Sequence, residues 1–207
     1  MEQQKSLYVL FSATPYRMGK CIRFITGEPY NHVSIATEED LRECYGFARR
    51  YYETPFYGGF VTEHPSRYIH NGSVSRIRLY RLPLNNAQWQ KLDILLENMR
   101  SQPERYLYNH LSAMMAPMHM KVKVRDAFTC AEFVVSVLSR LGFDFDSRRF
   151  YTIGGIAKRL EEYHVYTGQF PTKGEWDHAF FQPHPLRHPF YTSAMSIFAL
   201  LWRKAIA

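Results

Sequence analysis

The sequence is poor in cysteine and has no long apolar stretch, and both absences exclude classes of protein. Its three cysteines, Cys21, Cys44 and Cys130, show neither a CxxC spacing nor an even-numbered framework, which argues against a thiolate zinc site and a disulfide scaffold. No run of about 18 apolar residues occurs, so we expect no ordinary membrane-spanning helix. The first residues lack a basic segment followed by an apolar one, so we expect no secretory signal and a cytoplasmic protein with reduced thiols.

The charge is positive but dispersed. The formal net charge is +7, which favours anionic partners. The basic residues are spread along the chain and accompany no nucleic-acid reading motif, so no nucleic-acid partner is expected. A length of 207 residues fits one domain, 1–207, with a core of about 6–165 and a C-terminal extension, 166–207.

Strand patterns dominate the first part of the chain and helix patterns the later part, which predicts an α+β fold. One face of the first helix, with Met18, Cys21, Ile22 and Ile25, is apolar, and Cys21 is expected in the core. Residues 50–72, rich in Tyr, Gly and Pro, are interpreted as an ordered loop. The predicted strands are 6–12, 31–37, 41–47 and 73–82, and the predicted helices are 18–26, 85–100, 106–118, 130–141 and 153–163.

The clearest chemical signal is the segment Thr129-Cys130-Ala131-Glu132. A threonine followed three residues later by glutamate, before an apolar helical stripe, is a capping-box pattern. It makes Cys130 the first residue of a helix, where unpaired backbone N–H groups and the helix dipole stabilise a thiolate. A buried structural cysteine is the alternative interpretation.

His32 is the best candidate for the base. It lies near the start of the predicted strand 31–37, in which His32, Ser34 and Ala36 face one side and Val33 and Ile35 the other. A base on a rigid strand, facing a nucleophile at a helix tip, is the geometry that a Cys–His pair requires.

The segments GKCIRFITGEPYNHVSIATEEDLRECYGFAR and DAFTCAEFVVSVLSRLG resemble the circularly permuted NlpC-type members of the papain-like superfamily, including the lecithin:retinol acyltransferase-like enzymes. In these proteins a histidine on an early strand precedes the cysteine. The resemblance implies a small antiparallel sheet packed against helices, with Cys130 as nucleophile and His32 as base. It also implies a thioester acyl-enzyme and no cofactor or metal.

The resemblance also implies a third polar residue on the next strand, which orients the imidazole. Glu43 is the preferred candidate, because a carboxylate can accept a ring N–H and stabilise the imidazolium. Tyr45 is the alternative, and one residue of strand register decides between them. For the oxyanion we expect the backbone N–H of Cys130 and, as a second donor near the substrate, the Tyr16 hydroxyl.

The C-terminal stretch SAMSIFALLWRKA is amphipathic. We expect Ile197, Leu200 and Leu201 to pack on the domain, with docking on an anionic membrane surface as the alternative. The sequence as a whole therefore predicts a cysteine-dependent hydrolase or acyl transferase that acts on a small peptide, amide or acyl substrate. A non-catalytic binding module on the same fold and a peripheral lipid-acyl-modifying protein are the alternatives.

Overall fold

The computed structural model describes residues 5–171, 176–183 and 187–206, and in them the chain forms an α+β fold around a mixed eight-stranded sheet. The strands are β1 (Ser6–Ala13), β2 (His32–Ala36), β3 (Cys44–Arg49), β4 (Gly58–Glu63), β5 (Ile69–His70), β6 (Ser73–Val74), β7 (Arg76–Pro83), β8 (Leu107–Tyr108), β9 (Ala127–Phe128) and β10 (His164–Gln169). The order in the sheet is β10-β7-β1-β2-β3-β4-β8-β9, and β5 and β6 form a separate hairpin.

Seven α-helices lie among the described residues. They are α1 (Arg17–Thr26), α2 (Asn86–Ser101), α3 (His110–Met115), α4 (Cys130–Arg140), α5 (Ile153–Arg159), α6 (His178–Phe181) and α7 (Arg187–Ala205). The helix α4 packs against β2 and β3. This contact holds the N-terminus of α4 close to the start of β2.

The sheet is central because its middle strands are apolar on both faces. In β1, Leu7, Val9 and Phe11 belong to the main core, which also contains the apolar stripe of α4. Tyr8 and Leu10 point to the opposite face and pack in a second cluster. Strands covered on both faces consist of nearly continuous apolar residues, which explains the unbroken apolar character of β1.

The sheet is larger than the small antiparallel sheet that the sequence predicts. The predicted loop over residues 50–72 contains β4, which pairs along its whole length with β3. The Tyr, Gly and Pro residues of this segment are typical of a loop. The strand β4 forms nevertheless, because its pairing with β3 and its packing on the core stabilise it. The short strands β8 and β9 are parallel to each other, so the sheet is mixed.

Two further predictions require correction. The helix predicted over 106–118 is confined to His110–Met115, because Leu107 and Tyr108 pair with β9. The strand β10 pairs antiparallel with β7 at the edge of the sheet. The expected boundary between core and extension, at residue 165, therefore lies inside a strand.

The C-terminal helix α7 packs differently from the prediction. Leu200 is 1% exposed and contacts the β8–β9 end of the core, but Ile197 and Leu201 are 37% and 49% exposed. Ser193 and Ser196 share the buried side instead. Over the described part of the chain, no helix is both long and apolar enough to cross a membrane.

Candidate active site

Cys130 lies where the capping box predicts, at the first residue of α4. The Thr129 hydroxyl accepts a hydrogen bond from the Glu132 N–H at 3.2 Å, and the Glu132 carboxylate accepts one from the Thr129 N–H at 2.8 Å. Both halves of the box are therefore present. Cys130 is 6% exposed, so its thiol lies at the helix N-terminus largely shielded from water. The dipoles of the helix act more strongly on a side chain there than they would in water.

His32 connects the thiol to a carboxylate. Its ring Nε2 lies 2.7 Å from Oε1 of Glu63. His32 and Cys130 line the same cleft, and their interaction contributes to the raised pKa of His32. Because Nε2 is engaged by Glu63, Nδ1 is the nitrogen left for the thiol. His32 thus bonds directly to the Glu63 carboxylate and shares the cleft with the Cys130 thiol.

The Glu63 carboxylate sets the charge state of the His32 imidazole. Burial alone lowers the pKa of His32, but the Glu63 charge and the bonds to Cys130 and Glu63 raise it to about 10. Burial likewise raises the pKa of Glu63, yet the His32 charge and its hydrogen bond outweigh burial and leave that pKa below its ordinary value. At neutral pH the geometry therefore favours an imidazolium–carboxylate pair.

Glu63 is itself held from its other oxygen. The Tyr68 hydroxyl donates to Oε2 at 2.6 Å and lies 3.1 Å from the Ser34 hydroxyl. Glu63 and Tyr68 are 2% and 1% exposed. Burial raises the pKa of Tyr68 well above its ordinary value, so this phenol stays neutral and serves as a fixed donor that orients the carboxylate.

A glycine on β3 makes room for the pair. A Cβ at Gly46 would lie 3.2 Å from Oε1 of Glu63, 3.2 Å from Cβ of Ser34 and 3.7 Å from Cε1 of His32. A side chain at this position would crowd the Glu63 carboxylate and Ser34 and would contact the His32 ring. The absence of a side chain at Gly46 therefore contributes to the geometry of the site.

Tyr108, at the end of β8, supplies a hydroxyl beside the nucleophile. The Tyr108 and Cys130 side chains line the same cleft. Burial, together with the Cys130 and Glu132 charges, raises the pKa of Tyr108 well above its ordinary value. A neutral phenol is a hydrogen-bond donor. The sequence pattern gave no indication of this role, because Tyr108 lies inside the helix predicted over 106–118.

The pair opens into a cleft of about 230 Å³ that Cys130, His32, Glu63 and Tyr108 line. The strands β2 and β3 pair only at Ile35 and Tyr45, and the cleft lies beyond that point, at the His32 end of β2. Its other walls are mostly apolar and aromatic. They are formed by α1, the loop before β4, α3 and α6, and they include Met18, Ile22, Phe56, Ala113 and Phe180.

The predicted third residue is wrong. Glu43 precedes β3 and is exposed, and its carboxylate accepts a hydrogen bond from the Tyr45 hydroxyl at 2.7 Å. Tyr45 faces the main core, where its ring stacks on Phe60. The alternation of β3 explains this outcome, because Tyr45 points to the face opposite Gly46. Glu63 on β4 takes the place that the sequence assigned to Glu43.

Tyr16 lines the cleft, but its hydroxyl is already used. It donates to the backbone carbonyl of Arg67 at 2.8 Å, and burial raises its pKa. The ring therefore contributes a wall of the cleft. Its expected role as an oxyanion donor is not supported, and Tyr108 is the tyrosine of the cleft whose pKa the Cys130 charge raises.

Across residues 5–171, 176–183 and 187–206, no group of three or more His, Cys, Asp or Glu side chains is gathered as a metal ion would require. Comparisons of the chain with protein-family models, curated proteins and solved structures gave no match. The function is therefore inferred from the geometry of Cys130, His32 and Glu63.

Proposed function

We propose that this chain is a cysteine-dependent hydrolase or acyl transferase, with Cys130 as nucleophile, His32 as acid and base, and Glu63 as the group that orients and charges His32. The observation that carries the proposal is the placement of His32 between a buried carboxylate and a thiol at a helix N-terminus. This arrangement matches the nucleophile, base and orienting group of covalent acyl transfer. We further propose a reducing, cytoplasmic setting, since the nucleophile must remain a thiol.

In the proposed first step the Cys130 sulfur, its proton held by His32, attacks the carbonyl carbon of an amide or ester. A C–S bond forms, and the carbonyl oxygen gains negative charge that the backbone N–H of Cys130 and the Tyr108 hydroxyl stabilise. The C–N or C–O bond then breaks, and the His32 imidazolium gives its proton to the departing amine or alcohol. The product is a thioester on Cys130.

In the second step water or another acceptor attacks the thioester. Neutral His32 takes the proton of the attacking group, the C–S bond breaks, and the starting thiolate–imidazolium pair of Cys130 and His32 is restored. Glu63 stabilises the imidazolium in both steps, and the site needs no cofactor for this chemistry. The largely apolar walls of the cleft suit an acyl group or an apolar side chain of the substrate.

The test uses p-nitrophenyl acetate, whose acetyl group would be trapped on the nucleophile. We expect rapid release of nitrophenolate and a mass increase of one acetyl group, located on Cys130 by peptide mapping. Cys130→Ala and His32→Ala should abolish the rapid phase. Cys44→Ala is the matched control, because Cys44 is also buried but packs in the second cluster. Equal rates for wild type and Cys130→Ala would refute the proposal.

A further inference from the structure

The helix α1 is packed with its polar side inward. Gly19 is its buried residue and lies against Thr14, where a Cβ would overlap the Thr14 hydroxyl. The Arg23 guanidinium also points to the domain and donates to the Thr14 carbonyl at 3.0 Å and to the Asn31 side chain. The face that the sequence predicts to be in the core is therefore turned away from it.

That outward face is apolar. Ile25, Met18 and Ile22 of this face are 64%, 39% and 37% exposed. Phe24, which adjoins the face on the side of Arg17 and Lys20, is 89% exposed. Cys21, expected in the core, is exposed as well. Monomeric proteins seldom expose several large apolar side chains together, and such a group marks an interaction surface.

The exposed face of α1 borders the candidate active site. Met18 and Ile22 line the same cleft as Cys130. A further exposed apolar residue belongs to this rim: Phe56, which also lines the cleft, is 51% exposed. A partner that covers α1 would therefore lie over the entrance of the cleft.

The charge on α1 indicates that the partner is anionic. The helix carries Arg17, Lys20 and Arg23 and no acidic residue, and the chain has a net charge of +7. Arg17 and Lys20 are exposed beside the apolar face. A second copy of this face would bring these cations against one another, whereas an anionic lipid surface would attract them and accept the apolar side chains.

We propose that α1 is an interfacial membrane helix: Phe24, Ile25, Met18 and Ile22 enter the apolar boundary of an anionic lipid surface, and Arg17 and Lys20 meet its headgroups. The cleft then opens towards the lipid. Because α1 acts here as an interaction surface, its role does not require Cys130 to be a nucleophile.

Co-sedimentation with vesicles tests the proposal. The full chain should bind vesicles of mixed phosphatidylcholine and phosphatidylglycerol, and bind vesicles of phosphatidylcholine alone at least about tenfold more weakly. The double variant Phe24→Asp, Ile25→Asp should lose binding to mixed vesicles by about tenfold or more. Arg17→Glu, Lys20→Glu should lower it similarly and remove its salt dependence. Ile94→Asp is the matched control, because Ile94 is 63% exposed on α2, and it should bind within about twofold of wild type.

Three outcomes would overturn the proposal: no vesicle binding by wild type, equal binding by wild type and the Phe24–Ile25 variant, or an equal loss in the Ile94 control. Light scattering provides a fourth such outcome. If wild type is a dimer and the Phe24–Ile25 variant is a monomer, the exposed face of α1 is a dimer interface and not a membrane-binding surface. Alkylation of Cys130 by soluble iodoacetamide should be the same in wild type and all three variants. A failure of membrane binding is thereby distinguished from a failure of the catalytic proposal.

Discussion

Replacing Glu63 with glutamine removes the charge beside His32 and keeps the shape of the side chain. The amide oxygen of the new side chain can still accept the hydrogen bond from the Tyr68 hydroxyl. The amide NH₂ group, a donor, then faces His32 Nε2 where the wild type has an accepting carboxylate oxygen. The imidazolium loses its partner, and the neutral ring is driven to the tautomer that cannot accept the thiol proton at Nδ1. The reactive thiolate–imidazolium form of Cys130 and His32 should become rare.

The magnitude follows from the lost interaction. A hydrogen bond to a charged group contributes about 1.5–3 kcal/mol, and about 1.4 kcal/mol corresponds to a factor of ten. Glu63→Gln should therefore slow alkylation of Cys130 by iodoacetamide at neutral pH by about 10- to 150-fold. The second-order rate is measured by mass spectrometry of the Cys130 peptide, with the exposed Cys21 as a reference in the same sample.

Glu43→Gln is the control, because it changes the exposed carboxylate that bonds to Tyr45 and leaves the His32 pair intact. Its alkylation rate should match that of wild type. If Glu63→Gln alkylates within about twofold of wild type while remaining folded by circular dichroism, the role assigned to Glu63 is wrong. If Glu43→Gln slows the reaction as much, the carboxylate has been misassigned.

Three further results are expected. Gly46→Ala should lower the free energy of unfolding by about 1–3 kcal/mol through overpacking against the Glu63 carboxylate, and a denaturant midpoint equal to that of wild type would contradict this. Tyr108→Phe should slow acetylation of Cys130 by about 100-fold but leave its alkylation by iodoacetamide, which forms no oxyanion, within about twofold; equal loss in both assays would remove Tyr108 from the oxyanion site. The pKa of His32 is raised from 6.5 to about 10, so the stabilisation from His32 is complete below about pH 6.5 and is lost as the pH rises through about 10. The pKa of Glu63 is lowered from 4.5, so the stabilisation from Glu63 is complete above about pH 4.5 and is lost at lower pH. The difference in unfolding free energy between wild type and His32→Gln should accordingly shrink from about pH 6.5 to pH 10, and a constant difference would argue against the pair.

Local patterns predicted the elements that local chemistry stabilises. The helix predicted over 85–100 is observed as Asn86–Ser101 and the strand over 6–12 as Ser6–Ala13. The strand β4 escaped prediction because its stability comes from pairing with β3 and not from its own residues. The orientation of α1 could not be predicted either, because the spacing of apolar residues shows that a helix has an apolar face but not whether that face packs on the core.

The position of Cys130 follows from local sequence alone, because a capping box needs only two residues three apart, Thr129 and Glu132. Local sequence also determined the alternation of β2, with Val33 and Ile35 in the main core. The partner of His32, in contrast, depends on the tertiary fold. His32 and Glu63 are separated by 31 residues, and they meet because Glu63 lies opposite Cys44 in the β3–β4 pairing. A slip of one residue would turn Glu63 to the other face, and no local pattern specifies that register.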